Sequence, residues 1–136
     1  MNYWLLKTEP ETFGWQNIVK DKKATWDGVR NYAARNNLRE MKTGDLAFMY
    51  HSVVGKEVVG IMRVIKESYP DPTTDDKQWL AVDFEPVEKL SRPVTLSEIK
   101  SDPELTSIKL IKYSRLSVMP LEKEEFDRIC FLGQKE

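Results

Sequence analysis

Apolar runs long enough to be strands recur along the chain at irregular intervals, and only short amphipathic segments fill the gaps between them. Tyr3-Trp4-Leu5-Leu6 is hydrophobic at consecutive positions, the pattern of a strand buried on both faces. Leu46 to Tyr50 and Val58 to Ile65 follow. Trp79 to Phe84 begins a longer strand that alternates on toward Val87 and Leu90, and Leu116 to Met119 is a further strand ended by Pro120. Trp15 to Val19 reads as a short helix with Thr12 as a cap. Between Asn31 and Met41 the residues Ala34, Leu38 and Met41 recur at helical spacing, and Gly44 follows the helix end. Leu96 and Ile99 belong to a short helix begun by Thr95 or Ser97. Glu122 to Leu132 is a last helix with Phe126, Ile129 and Cys130 inward. Val53 to Lys56 makes a hairpin link, and Tyr69 to Asp76 is a polar, proline-broken loop. There is no regular βα alternation. The pattern therefore predicts an α+β domain with a curled, mostly antiparallel sheet. A chain of 136 residues suits one domain, 1–136.

Several chemistries lack their residues. No apolar run approaches the length of a membrane span, and Met1 to Lys7 has no basic signal-peptide region. Cys130 is the single cysteine, so neither an intramolecular disulfide nor a thiolate zinc site is expected, and the expected compartment is intracellular. His51 is the single histidine and has no carboxylates at ligand spacing around it, so no metal or cofactor is expected. Gly55 and Gly60 are spaced wrongly for a phosphate-binding loop. The net charge of −1 argues against a bulk polyanion binder. Its distribution is uneven: residues 1–68 carry 11 Lys and Arg against 8 Asp and Glu, and residues 69–136 carry 10 against 14.

The run from Thr25 to Asn36 concentrates what remains. It holds Trp26, Tyr32, Arg30, Arg35, Asn31 and Asn36 around a turn-forming Asp27-Gly28. A planar, hydrogen-bonding ligand needs a ring to stack on, amides to read its edges and cations for a nearby phosphate. The alternative is a loop that buries Trp26 as a core anchor and caps the next helix with its polar residues. Arg30 is open to two readings, a phosphate contact or an ion pair with Asp27. Arg35 and Arg39 lie four apart and share a helix face. Tyr50-His51-Ser52 ends a strand with three hydrogen-bonding tips, as a ligand wall or as a satisfied strand end. Lys7-Thr8-Glu9-Pro10 leaves the first strand in the same way.

Together these segments resemble the EVE domain, a member of the PUA-like superfamily related to YTH domains. The resemblance rests on Trp4-Leu5-Leu6-Lys7-Thr8-Glu9-Pro10, on Trp26 to Asn36, on Phe48-Met49-Tyr50-His51-Ser52, on Trp79 with Val82-Asp83, and on Arg115 to Leu121. It implies a bent, nearly closed, mostly antiparallel β barrel flanked by short helices, and a pocket for a modified base flipped out of DNA or RNA. Carried to this chain, Trp26 would be a cage wall and Asn31 an edge reader. Tyr50, His51 and Ser52 would line the opposite side, and Lys7 and Thr8 would close the mouth. Arg30, Arg35 and Arg115, with Arg39 on the face of Arg35, would hold the pocket or meet phosphates. Thr8 stands where the family usually has serine, and Gly14 where it often has a serine cap.

The expected function is a non-enzymatic nucleic-acid-binding module that recognises a modified base. The protein is expected to be a monomer without metal or membrane partners, cytoplasmic, or nuclear in a eukaryote. Two other classes stay open. One is an enzyme acting on a base or nucleotide with His51 as general acid or base. The other is a binding module for a protein partner or a small anionic metabolite.

Overall fold

Strand β1, Tyr3–Thr8, buries both of its faces in the computed structural model, which describes residues 1–134. Trp4 and Leu6 enter one hydrophobic cluster and Leu5 enters another, as the two-residue period of a strand requires. Strand β3, Leu46–His51, repeats the division, with Ala47 and Met49 on the first side and Phe48 and Tyr50 on the second. The full sheet has six strands. From edge to edge it runs β2 (Ala24–Trp26), β5 (Leu80–Thr95), β4 (Glu57–Pro70), β3, β1 and β6 (Val118–Leu121). Every pairing is antiparallel except that of β1 with β3.

Helices cover both faces. On the side of Trp4 and Leu6 lie α1 (Trp15–Asp21) and α2 (Tyr32–Glu40), which bury Trp15, Ile18, Ala34 and Leu38. The other side is covered by α3 (Leu96–Ser101), a 3-10 turn at Pro103–Leu105, α4 (Lys109–Lys112) and α5 (Lys123–Gly133). There Phe126 stacks on Phe48 with ring centres 4.4 Å apart. Long β4 and β5 lose register at four places along their shared edge. Such bulges bend and twist the strands, so the sheet curls. This is the expected α+β, mostly antiparallel arrangement with short helices on its flanks. Among the described residues no helix is long and apolar enough to cross a membrane.

Some element boundaries differ from the reading of the sequence. β2 has only three residues and exists because Ala24, Thr25 and Trp26 pair with Phe84, Asp83 and Val82. β4 continues through Tyr69 and Pro70 because those residues pair with Ala81 and Leu80. Gly14, not Thr12, caps α1, and its N–H donates to Asn17 Oδ1 at 2.7 Å. Thr95 caps α3, with Glu98 completing a capping box. β6 passes through Pro120 instead of stopping there, which an edge strand tolerates. α4 and the 3-10 turn carry too few residues to show a period.

Two packing details hold the sheet to its helices. Asp45 is buried in the turn after α2, where it accepts from Trp4 Nε1 at 3.0 Å, Asn2 N at 3.1 Å and Lys42 N at 3.0 Å. Gly60 in β4 lies directly under the indole of Trp15. A Cβ there would come within 2.4 Å of Cζ3, and neither the strand nor the buried ring has room to move. Gly60→Ala is expected to lower the unfolding free energy by about 2 kcal/mol, a typical cost of overpacking. Chemical denaturation of the variant beside the parent chain checks this.

Candidate functional site

Where β1 ends, the chain turns through residues 9–13 and faces the segment that follows β2. Between them is a cleft of ≈ 680 Å³, walled by Lys7, Thr8, Phe13, Trp26 to Arg30 and Ser117, whose carbonyl accepts from Lys7 N at 2.8 Å. Trp26 is only 8% exposed. Its indole is held edge-on by Phe84 at 5.8 Å and 77° and by Phe13 at 6.2 Å and 84°. Trp26 is therefore both a core residue and part of the cleft wall, which unites the two readings of the sequence. Trp26 and Phe13 form a perpendicular aromatic corner. A planar group stacked on one ring turns its edge to the face of the other, an arrangement aromatic quadrupoles favour.

Hydrogen bonds fix the polar walls. Thr8 Oγ1 donates to the carbonyl of Phe13 at 2.7 Å, which ties the residue 9–13 turn back to β1. Lys7 Nζ donates to the carbonyl of Ser114 at 2.7 Å, and burial pulls its pKa below the usual lysine value. Glu9 and Asp27 bring carboxylates to the cleft. Burial, with the charge of Asp71 behind it, pushes the Asp27 carboxyl above its ordinary value.

The far rim is anchored by Asp71, from the loop after β4. Its side chain is fully buried and accepts from Gly28 N at 2.8 Å, Arg30 Nη1 at 2.9 Å, Thr73 N at 2.7 Å and Thr73 Oγ1 at 2.6 Å. Burial opposes its ionisation. The bonds from Thr73, Arg30 and Gly28 outweigh that cost and hold the carboxyl well below the carboxylate range. Gly28 turns at φ +75°, a conformation glycine adopts without strain. Arg30 thus pairs with Asp71 and not with Asp27. Its guanidinium also lies 5.6 Å from the ring centre of Trp79, and Trp79 stacks on Tyr32 at 5.1 Å.

Lys7, Thr8, Trp26 and Arg30 share the cleft, and the other expected site residues lie elsewhere. Asn31 is the N-cap of α2, its Oδ1 accepting from Ala34 N at 3.0 Å, and it lines an adjacent cavity together with Arg115. Tyr50 is buried in the second hydrophobic cluster, and with Ser52 it borders a smaller depression that shares only Lys7 with the cleft. His51 lines a third depression, where its Nε2 accepts from Trp15 N at 3.2 Å. The structure therefore does not bring Tyr50, His51 and Ser52 to the lining of the Trp26 cleft: Tyr50 and Ser52 border one depression, and His51, one position between them, borders another. Arg35 donates to Asn36 Oδ1 and to the Gln78 carbonyl, and Arg39 stands exposed on α2 outside the cleft.

Phe13, Asp71 and Ser117 were not expected at the site. Phe13 carried a weak signal as an aromatic in a turn. Nothing in Pro70-Asp71-Pro72 distinguished a buried anchor from a solvated loop. Cys130 lies on α5, outside the cleft lining, and burial, then Asp127 and Glu88, pushes its thiol up to about 11. Among the described residues no three His, Cys, Asp or Glu side chains group as metal ligands would.

Comparison with known proteins places this geometry. The model of the EVE domain family matches residues 2–132. Mouse thymocyte nuclear protein 1 is 39% identical over 99% of this chain and 75% of its own length. The crystal structure of human THYN1 protein in complex with DNA containing 5-methylcytosine is 34% identical. It superposes with a TM-score of 0.93 over 100% of this chain and 99% of that one. The Mmi1 YTH domain is 12% identical with a TM-score of 0.62, over 97% of this chain and 94% of that one, a likeness of fold.

Two outcomes follow from these contacts. Asp71→Ala removes the acceptor shared by Gly28 and Arg30 and is expected to lower stability by about 2 kcal/mol, measured by denaturant unfolding. His51 accepts a hydrogen bond only when neutral, and burial lowers its pKa from 6.5. The unfolded chain therefore binds its proton first as pH falls, so stability declines as pH drops through about 6.5 and below. In His51→Gln this part of the pH dependence of the melting temperature is expected to vanish.

Proposed function

The chain belongs to the EVE domain family, and on that premise we propose that it is a nucleic-acid-binding module that takes a modified base, turned out of its strand, into the Trp26 cleft. The observation that carries this is the perpendicular corner of Trp26 and Phe13 at the head of a cleft of ≈ 680 Å³, a volume within the range of about 300–1,000 Å³ usual for small-ligand sites. A base that leaves its stack gives up its neighbours on both faces. Aromatic walls replace them, at about 1–3 kcal/mol per base.

The polar groups suit a base with an exocyclic amine. Glu9 and Asp27 offer carboxylate acceptors, the partner that the cytosine N4 amine takes in direct readout. Val29, which is buried and also lines the cleft, offers apolar surface against which a base methyl would pack. The human relative solved with 5-methylcytosine DNA makes methylated cytosine the first base to try. In this reading Lys7 and Thr8 shape the mouth. Arg30 holds the rim through Asp71 and is not a free phosphate contact. His51 has no part in chemistry at the cleft, and the module binds without turnover.

The test is a titration of the full chain with a short DNA carrying one 5-methylcytosine and with the same DNA carrying cytosine, at low salt. The methylated DNA is expected to bind more tightly. Phe13→Ala, which removes a partly exposed ring, is expected to weaken methylated binding about tenfold with little change in melting temperature. Equal affinity of the parent chain for both DNAs would overturn the reading.

A further inference from the structure

A second cavity, of ≈ 350 Å³, adjoins the cleft and is lined in part by Asn31, Asn37, Lys109, Tyr113 and Arg115. The two share a boundary at two places in the chain: Arg30 lines the cleft and Asn31 the cavity, and Ser117 lines the cleft and Leu116 the cavity. We infer that this cavity and the α4 surface beside it are the track for the sugar–phosphate backbone of the strand whose base occupies the cleft. The inference rests on the base-binding reading and adds where the rest of the nucleic acid lies.

Charge is the main argument. From Leu105 to Leu121 the chain has no Asp or Glu, while Lys109, Lys112 and Arg115 fall within it and are exposed. Among the described residues no carboxylate pairs with any of the three. The opposite rim is different. Arg30 is bound to buried Asp71, Arg35 spends its donors on Asn36 and Gln78, and the neighbouring loop adds Asp75 and Asp76. On the α4 side a polyanion leaving the cleft therefore meets three exposed cations that pair with no described carboxylate, whereas the opposite rim sets Arg30, bound to Asp71, and Arg35 against the acidic Asp75 and Asp76.

The remaining groups suit the same occupant. The ring of Tyr113 is 54% exposed, with Lys109 Nζ 6.0 Å from its centre. An open ring beside a cation is the combination on which strand-binding grooves stack bases while holding the backbone. Asn31 spends its Oδ1 on capping α2, and its Nδ2 has no acceptor among the described residues, so it can donate to a phosphate oxygen. This gives Asn31 a place in recognition at the backbone instead of at the base edge. It also explains how a chain of net charge −1 can hold a polyanion: the basic residues need only be grouped where the strand passes.

The experiment measures the affinity of the full chain for the 5-methylcytosine DNA and for its cytosine counterpart across a range of salt concentrations. Comparison is with the triple variant Lys109→Gln, Lys112→Gln, Arg115→Gln, and with Arg39→Gln as a control on α2. Removing one phosphate-binding cation flattens the slope of log affinity against log salt by about 0.9. The triple variant is expected to flatten it by about 2 to 3, to weaken binding at least about tenfold, and to keep the preference for the methylated base. Arg39→Gln is expected to leave the slope unchanged. Single Arg115→Glu guards against a folding defect in the triple variant and is expected to weaken both DNAs alike. An unchanged slope in the triple variant overturns the track while leaving base recognition intact. A slope that flattens without any methyl preference in the parent chain overturns base recognition and leaves the track. A parent chain that binds neither DNA overturns both.

Discussion

The parallel pairing of β1 with β3 is the constraint on which the rest of the structure depends. Antiparallel neighbours need only a hairpin between them, but parallel neighbours need a crossover long enough to carry the chain back to the starting end of the sheet. Here the crossover runs from Glu9 to Asp45 and contains α1, β2 and α2. Nearly every wall of the cleft lies either at the exit of β1 or within this crossover. The cleft therefore forms where a crossover leaves the sheet, and its walls are tied to buried strands at both ends. That gives it rigidity that a free surface loop lacks, and rigidity reduces the ordering cost of binding.

From outside the crossover, one buried anion organises the rim. Asp71 gathers the Gly28 N–H, the Arg30 guanidinium and both donors of Thr73. These bonds replace the water that the carboxylate gives up, which is what permits a buried charge. The consequence reaches past stability. The Asp27–Arg30 turn is held to Asp71 both by the Gly28 N–H and by the Arg30 guanidinium. The negative charge behind the rim adds to burial in raising the pKa of Asp27, which makes that carboxyl a stronger hydrogen-bond acceptor when ionised and more readily a donor when not.

Much of this was legible in the residues. The doubly buried run Tyr3 to Leu6 identified the central strand, and the spacing of Ala34, Leu38 and Met41 identified α2. Trp26 stood out because a large aromatic beside Asp-Gly and arginine is unusual in either a core strand or a surface helix. In the structure its indole is both part of the core and part of a cleft wall. What sequence could not supply was long-range pairing. Arg30 finds Asp71 forty-one positions away, and no local pattern marks that carboxylate. The placement of the Tyr50-His51-Ser52 segment away from the Trp26 cleft was hidden for a related reason. Its residue types fit a ligand wall, but direction along a strand alternates, and the face each side chain takes depends on which neighbours the strand acquires.

With a base in the cleft and phosphates on residues 109–115, as proposed, selectivity and affinity would be separated within this small domain. Phosphate contacts are strong, long-ranged and blind to sequence, whereas a base pocket is short-ranged and discriminating. If both used the same arginines, a gain in affinity would come at the expense of the pocket's shape. Here Arg30 belongs to the pocket's frame and the cations of residues 109–115 lie outside it. Among the described residues the cleft lining has two cations, Arg30, paired with Asp71, and Lys7, whose ammonium is tied to the Ser114 carbonyl. That bond joins the two regions directly, because Ser114 sits between Tyr113 and Arg115 on the track. With the adjoining bond from Lys7 N to the Ser117 carbonyl at 2.8 Å, it seats residues 114–117 against the exit of β1, so the loop that carries Arg115 and the mouth of the cleft rest on the same residue.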